Sequence, residues 1–392
     1  METNILRAFR AMSFLLRAAP AFFFTTYQLF LAMHGMSILQ MSLINGAYMI
    51  SVFILEIPTG AFADSFGRKQ SIICGCLVLS LSYLLYFTST TLTMFIIAEI
   101  IGAFGATLIS GALDAWAVDA LAANASTLPL EQLFRQEENV GKFGIIIGSI
   151  LGALAGTTNL AWPWLLSGLC MIVTAVCAHR LIKEPEFATK SFKFTLAPLK
   201  QTIHESWHAG RTNPSFIRIA VTGAILGISV QSLNMQWSIL FHNGFKLPVW
   251  SLGLIFVAIS LFTALGARLA PFTAQKTAHD GQSIALAFAF IGLMMIFSGQ
   301  AVWLLPAITF FLLHEMGRGL FNPLKKAMIN RRVEGQNRAT MLSLDSMVSH
   351  AGAVVGLLGG GWISTSFSIG SAWASSGILL IVIAPFIWKK GI

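Results

Sequence analysis

Two ionisable residues interrupt an otherwise apolar stretch in the last quarter of the sequence. Glu315 and Arg318 lie within residues 301–326, and a helix places residues three positions apart on one face. A further acid, Asp345, occupies the next apolar stretch at a similar depth: it lies roughly 10 Å from Arg338, and Arg318 lies roughly 12 Å from Lys326, which is taken as the cytoplasmic rim. A buried carboxylate beside a cation can exchange a proton as water access changes, so the three residues predict a proton-coupling network. A permanent salt bridge between two helices, or contact of Arg318 with a substrate, are the alternatives.

Neutral polar and aromatic residues recur in two other apolar stretches. Tyr27 and Gln28 fall in the first stretch, and Gln231, Asn234 and Trp237 fall in the seventh. Amides and aromatic rings suit an amphipathic or weakly polar organic molecule, so these residues are candidates for a substrate-binding surface. Packing inside the protein is the alternative for each of them.

The composition tells which solvent surrounds these residues. Of the 392 residues, 56% are hydrophobic and only 10% are charged, whereas about a quarter of a soluble domain is charged. The apolar residues form blocks of about twenty or more, each long enough to cross a hydrocarbon core of roughly 30 Å as a helix. Ten-residue blocks of alternating polarity, which are typical of barrels, are absent from the sequence. We therefore predict an all-α integral membrane protein.

Twelve membrane spans are predicted, and an even number puts both termini on one side. The spans are 12–34, 38–62, 71–89, 92–120, 140–159, 161–182, 215–240, 250–274, 281–299, 301–326, 338–363 and 370–388. Lys and Arg cluster on the side of the termini, and among the loops of the other side only Lys246 is basic. The positive-inside rule then predicts cytoplasmic termini in a multi-pass plasma membrane protein. The net charge of +9 is explained by this asymmetry, so no nucleic acid partner is expected.

The N-terminal apolar run is predicted to be a membrane span, and the cysteines are predicted to have only a packing role. The N-terminal apolar run is too long for a cleaved signal sequence and lacks a matching cleavage site, so it is kept as a span. All four cysteines lie inside apolar blocks, where they behave as small hydrophobic residues: Cys74, Cys76, Cys170 and Cys177. Neither a metal site nor a cofactor is predicted.

A charged linker over 183–213 separates two sets of six spans, residues 1–182 and 214–392. Within it, the segment TLAPLKQTIHESWH aligns four apolar residues on one helical face: Leu196, Leu199, Ile203 and Trp207. This pattern predicts a helix lying at the membrane surface, with a plain solvated linker as the alternative.

The two sets of spans look duplicated. Three glycines of the fifth span recur 208 residues later in the eleventh, and Gly111 of the fourth span recurs at the same offset as Gly319 of the tenth. The glycines of the fifth and eleventh spans are Gly144, Gly148 and Gly152, and Gly352, Gly356 and Gly360. Small residues at this spacing are common where membrane helices pack closely, but agreement of the offset across two pairs of spans favours a parallel repeat.

The stretch EIPTGAFADSFGRK joins the second and third spans on the cytoplasmic side. Pro58 and Gly60 are expected to loosen or end the second helix, and Gly67 to permit a tight turn. Asp64 and Arg68 would then be held at the membrane surface.

Charged residues elsewhere in the spans are weaker candidates for function. Glu99 is predicted at the outer rim, since about 30 Å of helix separates it from Asp119. Arg17 is close enough to the cytoplasmic rim to extend its side chain into water. His314 is expected to pack inside the protein, because it points away from its neighbour Glu315.

The residues Gly60, Asp64, Gly67, Arg68 and Lys69 resemble the G-x-x-x-D-x-x-G-R-K signature of major facilitator superfamily transporters. With twelve spans and the repeat, the resemblance covers essentially the whole chain. It implies two six-helix bundles related by a pseudo-twofold axis, alternating access, and first and seventh spans that face a central cavity. Similar transporters use the signature as a cytoplasmic gating latch, so Arg68 is predicted to pair with Asp119; a topology anchor without gating is the alternative.

The resemblance predicts a proton-coupled exporter of drugs or small metabolites, acting as a monomer in a prokaryotic inner membrane. The sequence departs from exporters of this family in three ways: no arginine is embedded in the fourth span, no Gly-Pro pair occurs in the fifth, and no acid occurs in the first. An importer or uniporter of a small polar metabolite is therefore kept as the alternative. A membrane enzyme is disfavoured, because no cluster of His, Asp or Ser at one membrane face and no nucleotide-binding loop are present.

Overall fold

The computed structural model describes residues 2–184, 214–277, 279–332 and 338–389. This described part contains helices and no strand. The predicted surface helix of the linker lies outside it. In the first half the helices are α1 (Glu2–Phe24), α2 (Tyr27–Met33), α3 (Ile38–Phe66), α4 (Arg68–Thr88), α5 (Leu92–Ile109), α6 (Ala112–Ala123), α7 (Leu130–Thr158) and α8 (Trp162–Leu181).

The second half begins with α9 (Pro214–Ile239), which continues into a π-helical turn over Leu240–Gly244. The remaining helices are α10 (Val249–Lys276), α11 (Asp280–Gln300), α12 (Leu304–Arg332), α13 (Arg338–Ser366) and α14 (Ile369–Lys389).

The all-α membrane fold is confirmed. Eleven helical segments of the described chain are long and apolar enough to cross a membrane. The tenth predicted span corresponds to α12, whose 29 residues include Glu315, Arg318, Lys325 and Lys326 and are less apolar on average. Each of the twelve predicted spans coincides with one or two helices, although the helices of the first and fifth spans begin about ten residues earlier than predicted.

Two predicted spans are each divided into two helices. The first span consists of α1 and α2, which are separated at Thr25 and Thr26, and the fourth consists of α5 and α6, which are separated at Ser110 and Gly111. Gly111 has a φ of +68°, which a residue without a Cβ adopts readily. Apolar periodicity runs through both breaks, so the sequence predicts uninterrupted spans there.

Helix α3 does not end at Pro58 or Gly60, so the expectation of a helix end at these residues is wrong. The helix continues through both residues to Phe66. Beside the proline, the hydroxyl of Thr59 donates to the carbonyl oxygen of Leu55 at 2.8 Å. The chain turns at Gly67, whose φ of +97° fits the turn predicted there.

The repeated glycines make equivalent contacts in the two halves. On α7, Gly144, Gly148 and Gly152 lie against the backbone of α1 with no room for a Cβ. On α13, the glycines 208 residues later lie against α9 in the same way. The fifth span therefore packs on the first in each half, as a duplicated chain requires.

The chain divides into two compact units. Unit 1 consists of Met1–Gly35, Ala47–Leu199 and Pro248–Leu254, and unit 2 consists of Met36–Gly46, Lys200–Leu247 and Ile255–Ile392. Each unit thus includes the first turns of one helix whose remainder lies in the other unit. In unit 2, for example, the Leu39 N–H donates to Thr365 Oγ1 at 3.0 Å.

Candidate functional site

A buried ion pair joins Glu315 and Arg318 on α12. Arg318 Nη1 donates to both carboxylate oxygens of Glu315, at 2.9 Å and 3.0 Å. Glu315 is only 3% exposed, so its charge depends on the guanidinium for compensation. Arg318 is partly exposed, which leaves its side chain open to a further contact.

The same guanidinium reaches α9. Arg318 Nη1 donates to Asn234 Oδ1 at 2.5 Å, and Asn234 Nδ2 donates to Gln231 Oε1 at 3.3 Å. Gln231 and Asn234 are three residues apart on one face of α9. Four of the predicted residues in unit 2 therefore form one hydrogen-bonded chain, from Gln231 through Asn234 and Arg318 to Glu315.

Trp237 lies one further turn along α9, within a group of aromatic rings. Its ring centroid is 6.1 Å from that of Phe311, with 25° between the planes, and 6.3 Å from that of Phe256. The side chain is buried in unit 2. Trp237 thus packs against apolar neighbours beside the polar chain.

Asp345 does not join this network, and that prediction is wrong. It pairs with Lys325 at 2.6 Å from Nζ to Oδ1, and Lys325 also donates to Ser349 at 3.2 Å. The cause is a misplaced helix end: α12 continues to Arg332, beyond the assumed rim at Lys326. Lys325 is seven residues before the end of α12 and Asp345 is seven residues after the start of α13. The two are therefore equally far from the facing ends of α12 and α13.

His314 is buried among rings, as expected for a packed residue. It is fully enclosed, with its ring 6.2 Å from that of Phe311. Its Nδ1 lies 3.7 Å from Glu315 Oε1, which is beyond hydrogen-bond range. The geometry gives no direct proton path between the two side chains.

In unit 1, Tyr27 belongs to a hydrogen-bonded cluster centred on Glu99. The Tyr27 hydroxyl donates to Glu99 Oε1 at 2.6 Å, and the Tyr86 hydroxyl donates to the same oxygen at 2.7 Å. Gln28, next in sequence, is also buried. Glu99 is only 9% exposed, so protein surrounds its carboxylate. Its partners come from other spans, which sequence spacing does not reveal.

The signature loop, residues 60–69, brings together Asp64 and Arg68. Arg68 Nη1 is 2.5 Å from Asp64 Oδ1, an i, i+4 pair across the turn at Gly67. Asp119 is exposed on α6, and no ion pair joins it to any residue that the structure describes. The predicted Arg68–Asp119 pair is not formed here, because Arg68 has a nearer carboxylate one turn away. Gly60 lies within α3, with open space where a Cβ would be.

Glu184 is a residue of this region that the sequence interpretation missed. Its carboxylate accepts the backbone N–H of Arg68 at 2.9 Å and that of Lys69 at 3.1 Å, at the N-terminus of α4. Beside it, the Lys183 carbonyl accepts the Trp116 indole N–H at 3.1 Å. An acid at a helix N-terminus is favoured by the helix dipole. Its position just after the sixth span was the available signal.

Comparison with known proteins identifies the family of this chain. The family model of the Major Facilitator Superfamily matches residues 11–282, which is more than half of the sequence. The chain belongs to the major facilitator superfamily. Membership of this family points to a transporter rather than to an enzyme.

Two relatives and one solved structure are similar to this chain. The uncharacterized MFS-type transporter YxaM of Bacillus subtilis is 23% identical over 380 residues, covering 95% of this chain and 93% of YxaM. The tetracycline resistance protein, class B, of Escherichia coli is 24% identical over 308 residues, covering 76% and 72%. The crystal structure of the nucleoside transporter NupG matches 99% of this chain and 100% of NupG, with a TM-score of 0.83 and 13% identity. This last likeness supports the fold alone.

Proposed function

We propose that this chain is a secondary active transporter that exports small amphipathic organic molecules in exchange for protons. It works by alternating access as a monomer in the inner membrane of a prokaryote, with both termini in the cytoplasm. The observation that carries the proposal is the polar chain Gln231–Asn234–Arg318–Glu315 inside an apolar helical unit. Ionisable groups at membrane depth are costly and are retained where they serve a transport step.

Each charge of the ion pair has a competing partner: a proton competes with Arg318 for Glu315, and substrate competes with Glu315 for Arg318. Protonation of Glu315 removes the negative charge that holds Arg318, whose guanidinium then relies on the Asn234 amide. A substrate with a hydrogen-bond acceptor competes for the same guanidinium. Proton binding at Glu315 and substrate binding at Arg318 are thereby linked through one side chain, which is what exchange of one for the other requires.

The neighbouring residues favour an amphipathic substrate. Asn234 and Gln231 supply amide donors and acceptors, and Trp237 with Phe311 supplies aromatic surface one turn away. Tyr27 and Gln28 are the candidates in unit 1. The tetracycline resistance protein among the relatives supports a drug-like or metabolite-like molecule over an inorganic ion.

The signature loop is proposed as the cytoplasmic gating element. Arg68 pairs with Asp64 across the turn at Gly67, and a second carboxylate, Asp119, is exposed on α6. Arg68 can therefore change its carboxylate partner during gating. In the conformation described here Arg68 is held by Asp64. Exchange of Asp64 for Asp119 would then accompany closure of the gate.

Uptake of a small polar metabolite is the second candidate function. Arg318 and Asn234 form a polar contact that suits a hydroxylated substrate, and NupG is named as a nucleoside transporter. In that case the ion pair binds substrate, and transport does not need a proton gradient.

A compound screen separates the two functions. The chain is expressed in bacterial cells that lack their own drug exporters, and accumulation of each compound is compared with that in empty-vector cells. Export predicts lower accumulation of some amphipathic compounds, with the difference abolished by a protonophore. Raised accumulation of a polar metabolite that persists with the protonophore would establish the alternative and remove proton-coupled export.

A further inference from the structure

Glu99 has surroundings unlike those of Glu315. It lies on α5, and its Oε1 accepts hydrogen bonds from the hydroxyls of Tyr27 on α2 and Tyr86 on α4. The two hydroxyl oxygens are themselves 3.4 Å apart. Both donors therefore meet on one carboxylate oxygen, while the structure gives Oε2 no hydroxyl partner among the described residues.

Aromatic rings enclose this cluster. Trp164 of α8 stacks on Tyr86, with ring centroids 3.9 Å apart and an angle of 3° between the planes. The other face of the group is covered by Phe23, which stacks on Trp164 at 4.1 Å and 9°. The two tyrosine rings are thus fixed by packing, so their hydroxyls are held toward Glu99 whatever its charge.

No cation compensates Glu99 in the part of the chain that the structure describes. The five Lys or Arg ion pairs found there leave it out, whereas Glu315 has Arg318. The other ionisable groups facing Glu99 are Tyr48 on α3 and Tyr83 on α4, which are neutral acids. His34, the residue after α2, packs on Phe95 of α5, with 5.6 Å between ring centroids. Neutral donors offset only part of the free-energy cost of a buried negative charge, so the charged form of this carboxylate is disfavoured in an apolar site.

We propose that Glu99 is a proton-binding site of unit 1, separate from the Glu315 site of unit 2. The proton comes from water and binds at Oε2, while Oε1 keeps the two tyrosine hydrogen bonds. Release returns the proton to water and leaves a carboxylate whose charge is shared by two phenol donors. The site goes beyond the proposed function, because its occupancy by a proton does not depend on which substrate is carried.

Protonation of Glu99 has a structural consequence for three helices. Hydrogen bonds to a charged acceptor are about twice as strong as those to a neutral one. Loss of the charge therefore weakens the links from α5 to α2 and α4 at once. Tyr27 is the first residue of α2, just after the break at Thr25 and Thr26, where the first span is divided. The weaker link acts where that span is already interrupted.

The internal repeat shows that this site belongs to unit 1. The residues of α9 that contact the repeated glycines lie 210 positions after those of α1, which aligns Tyr27 with Trp237. At the offset of 208 that relates the fourth and tenth spans, Glu99 aligns with Ala307. Unit 2 thus has the indole of Trp237, which carries no hydroxyl, in place of Tyr27. It has the buried methyl group of Ala307 in place of the Glu99 carboxylate.

Infrared titration of the purified full-length protein tests the proposal without any transport substrate. The wild type and Glu99→Gln are compared from acidic to alkaline pH. We expect the wild type to show a protonated-carboxyl band equivalent to one group per chain that Glu99→Gln lacks. Glu315→Gln is the matched control and should retain this band. Superimposable wild-type and Glu99→Gln spectra throughout the titration would overturn the proposal.

A second pair of variants keeps the test decisive if Glu99→Gln does not fold. Tyr27→Phe and Tyr86→Phe each remove one hydrogen bond to Oε1 and keep the ring. Each should move the Glu99 carboxyl band to higher frequency, because its C=O loses one donor. A band that stays in place in both variants contradicts the site. Failure of proton-coupled transport with the Glu99 band intact would count against the proposed function alone.

Discussion

Lys325 and Asp345 form a buried ion pair between α12 and α13, with Nζ 2.6 Å from Oδ1. Their side chains are only 8% and 16% exposed. Lys325 is also close to Phe321, whose ring centroid lies 5.9 Å from Nζ. Loss of one partner therefore leaves the other charge buried without compensation.

The first prediction concerns the stability contributed by this pair. Asp345→Asn should lower the free energy of unfolding by about 3 kcal/mol or more, since breaking a buried pair strands its cation. Adding Lys325→Met should restore most of that loss. Thermal unfolding in detergent measures both. As a control, Glu138→Gln breaks the exposed Glu138–Lys142 pair and should change stability by less than about 1 kcal/mol. A double variant no more stable than Asp345→Asn would contradict the pairing.

The membrane fold was predictable because lipid imposes one strong rule. Backbone groups in hydrocarbon must bond within their own segment, so long apolar runs specify helices almost one for one. The glycine offsets likewise predicted the repeat, and the contacts of Gly148 with α1 and of Gly356 with α9 are equivalent in the two halves. The break at Gly111 depends on backbone angles that apolar periodicity does not record.

The site was predictable only where its residues share a helix. Glu315 and Arg318 are three residues apart, so helical geometry alone joins them. To place Asp345 correctly, the end of α12 had to be known. That end lies six residues past Lys326, so the depth predicted for Arg318 was too small by the length of those six residues. Glu99, Tyr27 and Tyr86 come from three spans, and their meeting depends on helix packing that one sequence does not encode visibly.

The second prediction tests Glu315 as the coupling residue. Glu315→Gln keeps the shape and hydrogen-bonding groups of the side chain but cannot titrate. Uptake into inverted vesicles driven by a pH gradient should be lost, while counterflow exchange, which needs no gradient, should be retained. The exposed Glu138→Gln should leave both activities unchanged. Full gradient-driven uptake by Glu315→Gln would remove this residue from coupling.

The third prediction concerns substrate contact at Asn234. Asn234→Leu removes the acceptor for Arg318 while nearly preserving side-chain volume. The substituted residue also loses the amide proposed to hydrogen-bond the substrate. Such a bond contributes about 0.5–1.5 kcal/mol, so the KM of the transported compound should rise by up to about ten-fold. Gln132→Ala, which changes an exposed amide on α7, is the control and should leave KM unchanged. An unaltered KM in Asn234→Leu would exclude Asn234 from the substrate site.

The fourth prediction concerns orientation in the membrane. Lys246, with a φ of +59° in the turn between α9 and α10, is expected outside the cell, and Lys183 inside. A single cysteine at position 246 should react with an impermeant thiol reagent in intact cells. A cysteine at position 183 should react only after the membrane is opened. Labelling of position 183 in intact cells would reverse the proposed topology.

The fifth prediction separates the possible partners of Arg68. If Asp64 holds Arg68, the exchange Asp64→Arg with Arg68→Asp should recover part of the transport lost in either single variant, because the i, i+4 spacing is kept. The exchange of Arg68 with Asp119 should recover activity only if gating brings those two together. Glu184→Gln provides a separate measure: it weakens the charged cap on the N–H groups of Arg68 and Lys69. That change should cost about 0.5–2 kcal/mol of stability. Normal transport by every single variant would show that the loop anchors α4 without gating.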